Sequence, residues 1–252
     1  GQRRYRRYIQ RGYDALLKSG DVRFTNNSAA GAHDYEQWLT LAPGTVRTVY
    51  NGYDLEAVRG RVSDADRARI RAQLNIPEGA RVLGGVMRFS EIKRPDLWCA
   101  VLWEMCAADA GVHGVIVGDG LLLDGLKAQT VEKGFADRIH FVGRQSPVEP
   151  WMAAFDLLFL SSRTEGLPNV LIEAQSVGTP VVTVNVGGAP EALDHGKTGW
   201  VLEGDEASSL ARQIASILGD DKALAAYRQN CTAFVEDRFG LANMTRNMAG
   251  LY

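Results

Sequence analysis

The sequence predicts an α/β fold, a parallel sheet flanked by helices with further helices closing the chain. Three features of the chain point to it. From Arg81 to Leu202, short apolar runs alternate with helical segments of about 10 to 15 residues, the spacing of βαβ units. The runs are apolar on both faces, as buried parallel strands are; Leu157-Leu158-Phe159-Leu160 is the clearest. Glycines fall where runs end, at Gly85, Gly118, Gly120, Gly143 and Gly187-Gly188, and in such sheets ligands bind outside the carboxyl ends of the strands.

Arg3 to Lys18 carries a helical pattern, Val22 to Thr25 reads as a strand, and Ser28 is placed to cap a helix reaching Leu39. Val46 to Tyr50 is a second strand, closed by the turn pair Asn51-Gly52. Ala65 to Leu74 is a charged helix that Ser63 or Asp64 would cap. Strands follow near Arg81 to Val86, Gly114 to Val117, Ile139 to Val142, Leu157 to Leu160, Pro180 to Val184 and Gly199 to Leu202. From Ala207 to Tyr252 two or three successive helices are expected, lying across the sheet or returning to an earlier segment.

Composition narrows the classes. A chain of 252 residues, 46% hydrophobic and 23% charged, can bury a sizeable core in one or two globular domains. Its net charge of −2 gives no bulk attraction to nucleic acid or anionic lipid. No apolar run reaches the roughly 18 residues needed to cross a bilayer. Cys99, Cys106 and Cys231 share no metal-ligand spacing, and an odd count without a secretion signal points to a reducing, cytoplasmic compartment. Cys99 and Cys106, seven apart in a helical pattern, read as core filler. The chain opens at Gly1 without an initiator methionine, as a fragment of something longer would. Its first segment sets Arg3, Arg4, Arg6, Arg7 and Arg11 beside Tyr5, Tyr8, Ile9, Leu16 and Leu17. That pattern is a solvated or partner-covered helix, or one resting peripherally on the inner face of an anionic membrane.

The most informative stretch is Glu165-Gly166-Leu167-Pro168-Asn169-Val170-Leu171-Ile172-Glu173, where two carboxylates bracket a loop that turns into a helix. Pro168 suits the first helical position, where its missing N–H costs nothing, so the amides of Asn169, Val170 and Leu171 are expected to point outward. Free amides at the positive end of a helix dipole hold phosphate oxygens. Glu173, further in, can accept from vicinal hydroxyls such as a ribose edge, and Glu165 from those of a second polyol. Alone, the pair also reads as a loop charge and a helical surface charge. The turn after the Arg81 to Val86 strand supplies Arg88 and Lys93, a guanidinium fork and a point charge able to converge on one anionic group. Together with the helix start they form two halves of a diphosphate clamp. Neither a G-x-G-x-x-G fingerprint nor a P-loop is present: after Gly118-Asp119-Gly120 the next glycine, Gly125, falls out of place. Asp64-Ala65-Asp66, a formal D-x-D, stands at a helix start where acids favour the dipole.

Further segments complete a recognisable series. They are Tyr50-Asn51-Gly52-Tyr53-Asp54, Gly85…Arg88…Lys93-Arg94-Pro95, Gly118-Asp119-Gly120, Phe141-Val142-Gly143, Ser161 through Ala174, Gly178-Thr179-Pro180-Val181-Val182, Gly187-Gly188-Ala189-Pro190-Glu191 and Thr198-Gly199. In this order, over about Val46 to Leu202, the chain resembles the nucleotide-recognising C-terminal half of retaining GT-B glycosyltransferases of family 4, glycosyl transferases group 1. The resemblance implies a Rossmann-like parallel sheet with C-terminal helices and a donor nucleotide sugar held by this half.

By that resemblance Arg88 and Lys93 bind the diphosphate and neutralise charge on the leaving nucleotide, without a metal or other cofactor. Glu173 takes the ribose hydroxyls and Glu165 those of the transferred sugar. Gly85 and the backbone of Gly166, Leu167, Pro168, Asn169, Val170 and Leu171 complete the donor site, and Arg144 meets the base. The implied catalytic set is Arg88, Lys93 and Glu165, with no protein nucleophile. The implied reaction transfers a sugar to a hydroxyl of a carbohydrate or lipid-linked acceptor with retention. The implied domains are 1–54, the remnant of an acceptor domain and linker, 55–235, the nucleotide-sugar-binding domain, and 236–252, a helix returning to the N-terminal part. With so little of the first half present, the fragment alone would be poorly active. His33, His113, His140 and His195 are read as structural or surface residues. Two other readings stay open, a non-catalytic nucleotide-sugar-binding module and a GT-B-shaped nucleotide-sugar epimerase, the latter requiring acid/base groups that the sequence does not place.

Overall fold

The computed structural model describes residues 2–20 and 22–250, with side chains from Tyr8 onward. A small leading unit comprises α1 (Gln2–Ser19), β1 (Phe24–Asn26), α2 (Ala29–Leu39) and β2 (Val46–Thr48), with β1 and β2 paired in parallel. Ser28 starts α2 by accepting from the Gly31 amide at 3.0 Å, and Thr40, in the left-handed region at φ 57, stops it. Tyr13 of α1 packs its ring against Phe24, Tyr35 and Trp38. The side chains of Arg3, Arg4, Tyr5, Arg6 and Arg7, on which a membrane contact would depend, lie outside the described residues.

The larger unit begins with α3 (Leu55–Arg59) and α4 (Asp66–Gln73). Neither Ser63 nor Asp64 caps α4 as expected. Ala65 occupies the cap position, and Asp66 instead reaches back to accept from the Ser63 amide at 2.8 Å, closing the same turn from the opposite side. The chain then alternates through β3 (Arg81–Val86), α5 (Pro95–Ala108), β4 (Val112–Val117), α6 (Leu123–Glu132), β5 (Ile139–Phe141) and α7 (Glu149–Ala153). It continues through β6 (Leu157–Leu160), α8 (Asn169–Ser176), β7 (Val181–Val184), a 3₁₀ turn (Ala189–Ala192) and β8 (Gly199–Leu202). Three helices close it: α9 (Ala207–Leu218), α10 (Asp221–Phe239) and α11 (Leu241–Ala249). The first packs on α5, and the end of α10 returns to the residues just before α3, where the Tyr53 amide bonds to Phe239 O at 2.9 Å.

The six strands run parallel in the order β5-β4-β3-β6-β7-β8, a Rossmann-like sheet whose order reverses between β3 and β6. Strand periodicity divides the core between its two faces. On β6, Leu157 and Phe159 join Trp98, Leu102 and Ile214 on one side, while Leu158 and Leu160 join Phe155, Leu171 and Phe239 on the other. Gly84 lacks a side chain because the Phe155 ring fills the position a Cβ would take.

The start of β6 is pinned by charge. Asp156, 4% exposed, accepts from Arg67 at 2.6 Å, Arg71 at 2.8 Å, Arg228 at 3.3 Å and the Val82 amide at 2.8 Å. Burial alone would raise its pKa, but Arg71 and Arg67 hold the carboxyl below the ordinary value. His113 and His140, on neighbouring strands, stack with ring centroids 5.8 Å apart, and burial lowers both pKa values. All three cysteines are buried and free.

Candidate functional site

At the carboxyl ends of β3 and β6, where the strand order reverses, two connections are tied together. The turn after β3 is held against the one after β4 by the Met87 amide on Val117 O and the Phe89 amide on Asp119 O, at 3.0 and 2.9 Å. Gly118 and Gly120, with φ of +141 and +150, permit this approach, since a Cβ on either would run into Met87 O or Phe89 O. The turn then reverses at Arg94, a non-glycine residue at φ 51. Ser161, at the exit of β6, directs its hydroxyl at Lys93 O and Arg94 O, at 3.0 and 2.9 Å, and the Arg163 amide donates to Ile92 O at 2.8 Å. Arg94 pairs with Asp205 beyond β8.

Across this junction the Lys93 ammonium meets the Glu165 carboxylate, Nζ to Oε1 2.6 Å. Glu165 belongs to the loop that starts α8. Pro168 is not the first helical residue, as expected, but the cap before it, because its ψ of 110 is extended; the helix begins at Asn169. The amides of Asn169 and Val170 have no acceptor among the described residues, whereas the Leu171 amide turns back to Pro168 O at 3.2 Å instead of pointing outward. The side chains of Leu167 and Leu171 are buried in the core, leaving only backbone at those positions to meet a ligand. Gly187 and Gly188 lie against Glu165 O and Gly166 O with no room for a Cβ, and the Gly188 amide bonds to Glu165 O at 3.3 Å.

Glu173 lies in the second turn of α8, half-buried near Glu149 and Arg61. Burial raises its pKa, the Glu149 charge adds to the rise, and Arg61 opposes it. Glu149 itself is held by Arg61 at 2.6 Å. Tyr53 donates to Asn169 Oδ1, and its own pKa is pushed up to about 12, chiefly by burial.

Other expected residues fall elsewhere. Gly85 is not in a loop but inside β3, where a Cβ would press on the Trp98 indole, so its lack of a side chain serves packing. Arg88 is exposed at the turn after β3 and Arg144 is exposed after β5; neither forms an ion pair among the described residues. Among those residues no group of three or more His, Cys, Asp or Glu is placed to hold a metal, and no helix is long and apolar enough to cross a membrane.

Sequence reasoning missed Ser161, Glu149 and Tyr53 at this rim, and the role of Glu191. Glu191 accepts from the Ala29 and Ala30 amides at 2.7 and 2.9 Å and from the Tyr50 hydroxyl at 2.9 Å, so it caps α2 from the far side of the chain. Arg238 in turn donates to the Tyr50 hydroxyl at 2.9 Å. Its place in the glycine-rich Gly187-Gly188-Ala189-Pro190-Glu191 run was visible, but a cap 162 residues away leaves no local signal.

The family model of glycosyl transferases group 1 matches residues 66–234, more than half of the chain. The chain belongs to the glycosyl transferases group 1 family. Among relatives of this group 1 chain, a Vi polysaccharide biosynthesis protein VipC/TviE of Salmonella typhi is 29% identical over 238 residues, 92% of this chain and 41% of that protein. A D-inositol 3-phosphate glycosyltransferase of Segniliparus rotundus is 30% identical over 221 residues, 85% of this chain and 48% of the relative. The chain thus spans about half the length of the curated relatives it matches. Among solved structures, Anabaena Alr3699/HepE in complex with UDP superposes with a TM-score of 0.81 at 26% identity, covering 91% of this chain and 63% of that one. The same Anabaena protein is also known in complex with UDP-glucose. The group 1 chain shares with it the GT-B Rossmann-like sheet described above.

Proposed function

We propose that this chain is the donor-binding portion of a retaining glycosyltransferase that transfers a sugar from a nucleoside diphosphate to a hydroxyl of a carbohydrate or lipid-linked acceptor. The observation that carries the reading is the Lys93–Glu165 pair, made by the loop that leads to the uncommitted Asn169 and Val170 amides, at the point where the sheet order reverses. Such a rim offers a cation and helix-start amides to phosphate oxygens, and carboxylates to sugar hydroxyls. The UDP and UDP-glucose complexes of the Anabaena protein support a nucleotide sugar as the occupant.

In this reading Lys93 and Arg88 bind the diphosphate and stabilise the charge that develops on the departing nucleotide. Glu173, ionised, accepts from the ribose hydroxyls, and Glu165, released by Lys93, accepts from the sugar. The backbone of Gly166 to Val170 lines the phosphate, and Arg144 borders the base. The attacking hydroxyl arrives on the face the nucleotide leaves, with no protein nucleophile and no metal. Residues 55–235 form the nucleotide-sugar domain, residues 1–54 belong with the acceptor side, and residues 236–252 lead back to it.

Calorimetric titration with UDP, UDP-glucose and GDP-sugars tests the proposal. Saturable binding of at least one nucleoside diphosphate, abolished or weakened in Glu173→Ala, is the expected outcome. Absence of any such binding by both this chain and a two-domain form overturns it.

A further inference from the structure

We infer that Ser161 is a positioning residue for the diphosphate, acting through Lys93 without touching the ligand. The inference rests on the diphosphate role proposed for Lys93. Ser161 follows β6 directly and is fully buried, so no ligand reaches it. Its hydroxyl faces two carbonyls of the opposite turn, Lys93 O at 3.0 Å and Arg94 O at 2.9 Å. One proton serves both acceptors, so the contact holds the peptide between them rather than a single atom.

That peptide needs holding. Arg94 sits at φ 51, a conformation that favours glycine and that a long side chain adopts at a cost. The turn is fixed on three sides: by Ser161, by the Arg163 amide on Ile92 O at 2.8 Å, and by the Arg94 pair with Asp205. The same β6 exit that secures the backbone of Lys93 also leads, four residues after Ser161, to Glu165, which meets the lysine ammonium. Backbone and charge of Lys93 are therefore referenced to one strand end. Removing the Ser161 hydroxyl leaves Lys93 O without this donor, while Arg94 O keeps the Trp98 amide at 3.2 Å, and the slackened turn no longer fixes the ammonium relative to Glu165 across the rim.

The neighbouring Ser162 provides the control. It is equally buried, yet its hydroxyl has no hydrogen-bond partner, so its removal costs nothing in this network. Calorimetry on the full chain with UDP and with UMP separates the roles. Ser161→Ala is expected to weaken UDP about tenfold while changing UMP less than about twofold, because the effect runs through the terminal phosphate. Ser162→Ala is expected to leave both unchanged. A Ser161→Ala, Lys93→Ala double variant is expected to bind UDP no worse than Lys93→Ala alone.

If the wild-type chain binds no nucleotide, it is the glycosyltransferase reading that fails. If it binds UDP and Ser161→Ala matches it, or loses UDP and UMP equally, or adds fully to Lys93→Ala, the positioning role is refuted while the donor site stands. Urea unfolding of each variant identifies a loss that is only misfolding, and Ser161→Thr, which keeps the hydroxyl, is then expected to restore UDP binding; failure to do so in a folded protein also refutes the role.

Discussion

Replacing Lys93 by alanine separates two demands on one ammonium. In the free protein it neutralises Glu165, with the lysine side chain 33% exposed and the glutamate 9% exposed. Because the pair is open to water on the lysine side, its loss costs about 1 kcal/mol of stability, less than the about 3–5 kcal/mol of a fully buried pair. In the proposed donor role the same group would make charge-assisted hydrogen bonds to a diphosphate worth about 1.5–3 kcal/mol. Subtracting the Glu165 contact given up on binding leaves about 0.5–2 kcal/mol, or about 2- to 30-fold in Kd. Titration of UDP into wild type and Lys93→Ala measures this, with urea unfolding as the check on folding. Glu165→Gln provides the opposite sign: it releases the lysine, so UDP binds as tightly as before or more tightly. UDP affinity unchanged in a folded Lys93→Ala protein would refute the reasoning.

Other perturbations reach the rest of the molecule. Burial and Glu149 raise the Glu173 pKa above 4.5, so nucleotide affinity should fall on acidification through that raised value and recover above it. Glu173→Gln should flatten the profile, as calorimetry at several pH values will show. Asp156→Ala strands three arginines at the start of β6 and should cost about 3–5 kcal/mol in urea unfolding. Glu191→Ala leaves the Ala29 and Ala30 amides without their carboxylate and should cost about 1–3 kcal/mol, read as faster hydrogen exchange at the start of α2. Because burial lowers the pKa of His113 and His140, the folded state disfavours their protonation. Stability should hold above the ordinary histidine value of 6.5 and decline as pH falls below it, and thermal unfolding of His140→Leu should show a weaker decline.

The large sheet was legible because its strands are buried on both faces and therefore read as unbroken apolar runs; β3, β6 and β8 begin and end where expected. The shorter strands drifted: β1 starts at Phe24 rather than Val22, and β2 stops at Thr48. Half-exposed three-residue strands are placed by pairing with each other, and pairing is absent from a linear pattern. The brief helix α3 escaped notice, being too short to show a period, and α7 fills only five residues of the longer helical segment expected before β6. At the rim, Lys93 and Glu165 were nominated from opposite connections and meet at 2.6 Å. The one-residue shift at Pro168 came from ψ, which proline leaves free while fixing φ. Gly85 misled because a glycine that clears space for an indole looks, in sequence, like one that clears space for a phosphate.

Four residues of β6 connect two tethers of different kind. At one end Asp156 is gripped by arginines from α4 and α10, and at the other Ser161 grips the turn that carries Lys93. A strand clamped so cannot slide: slippage by a single position would exchange the bonded Ser161 for the unbonded Ser162 and send every apolar residue to the wrong face. The rim therefore inherits its accuracy from a salt cluster roughly a strand's length away, about 13 Å at 3.3 Å per residue. If the rim holds a nucleotide as proposed, substitutions in α4 or α10 that loosen that cluster would blur its binding at a distance, without altering any residue of the rim itself.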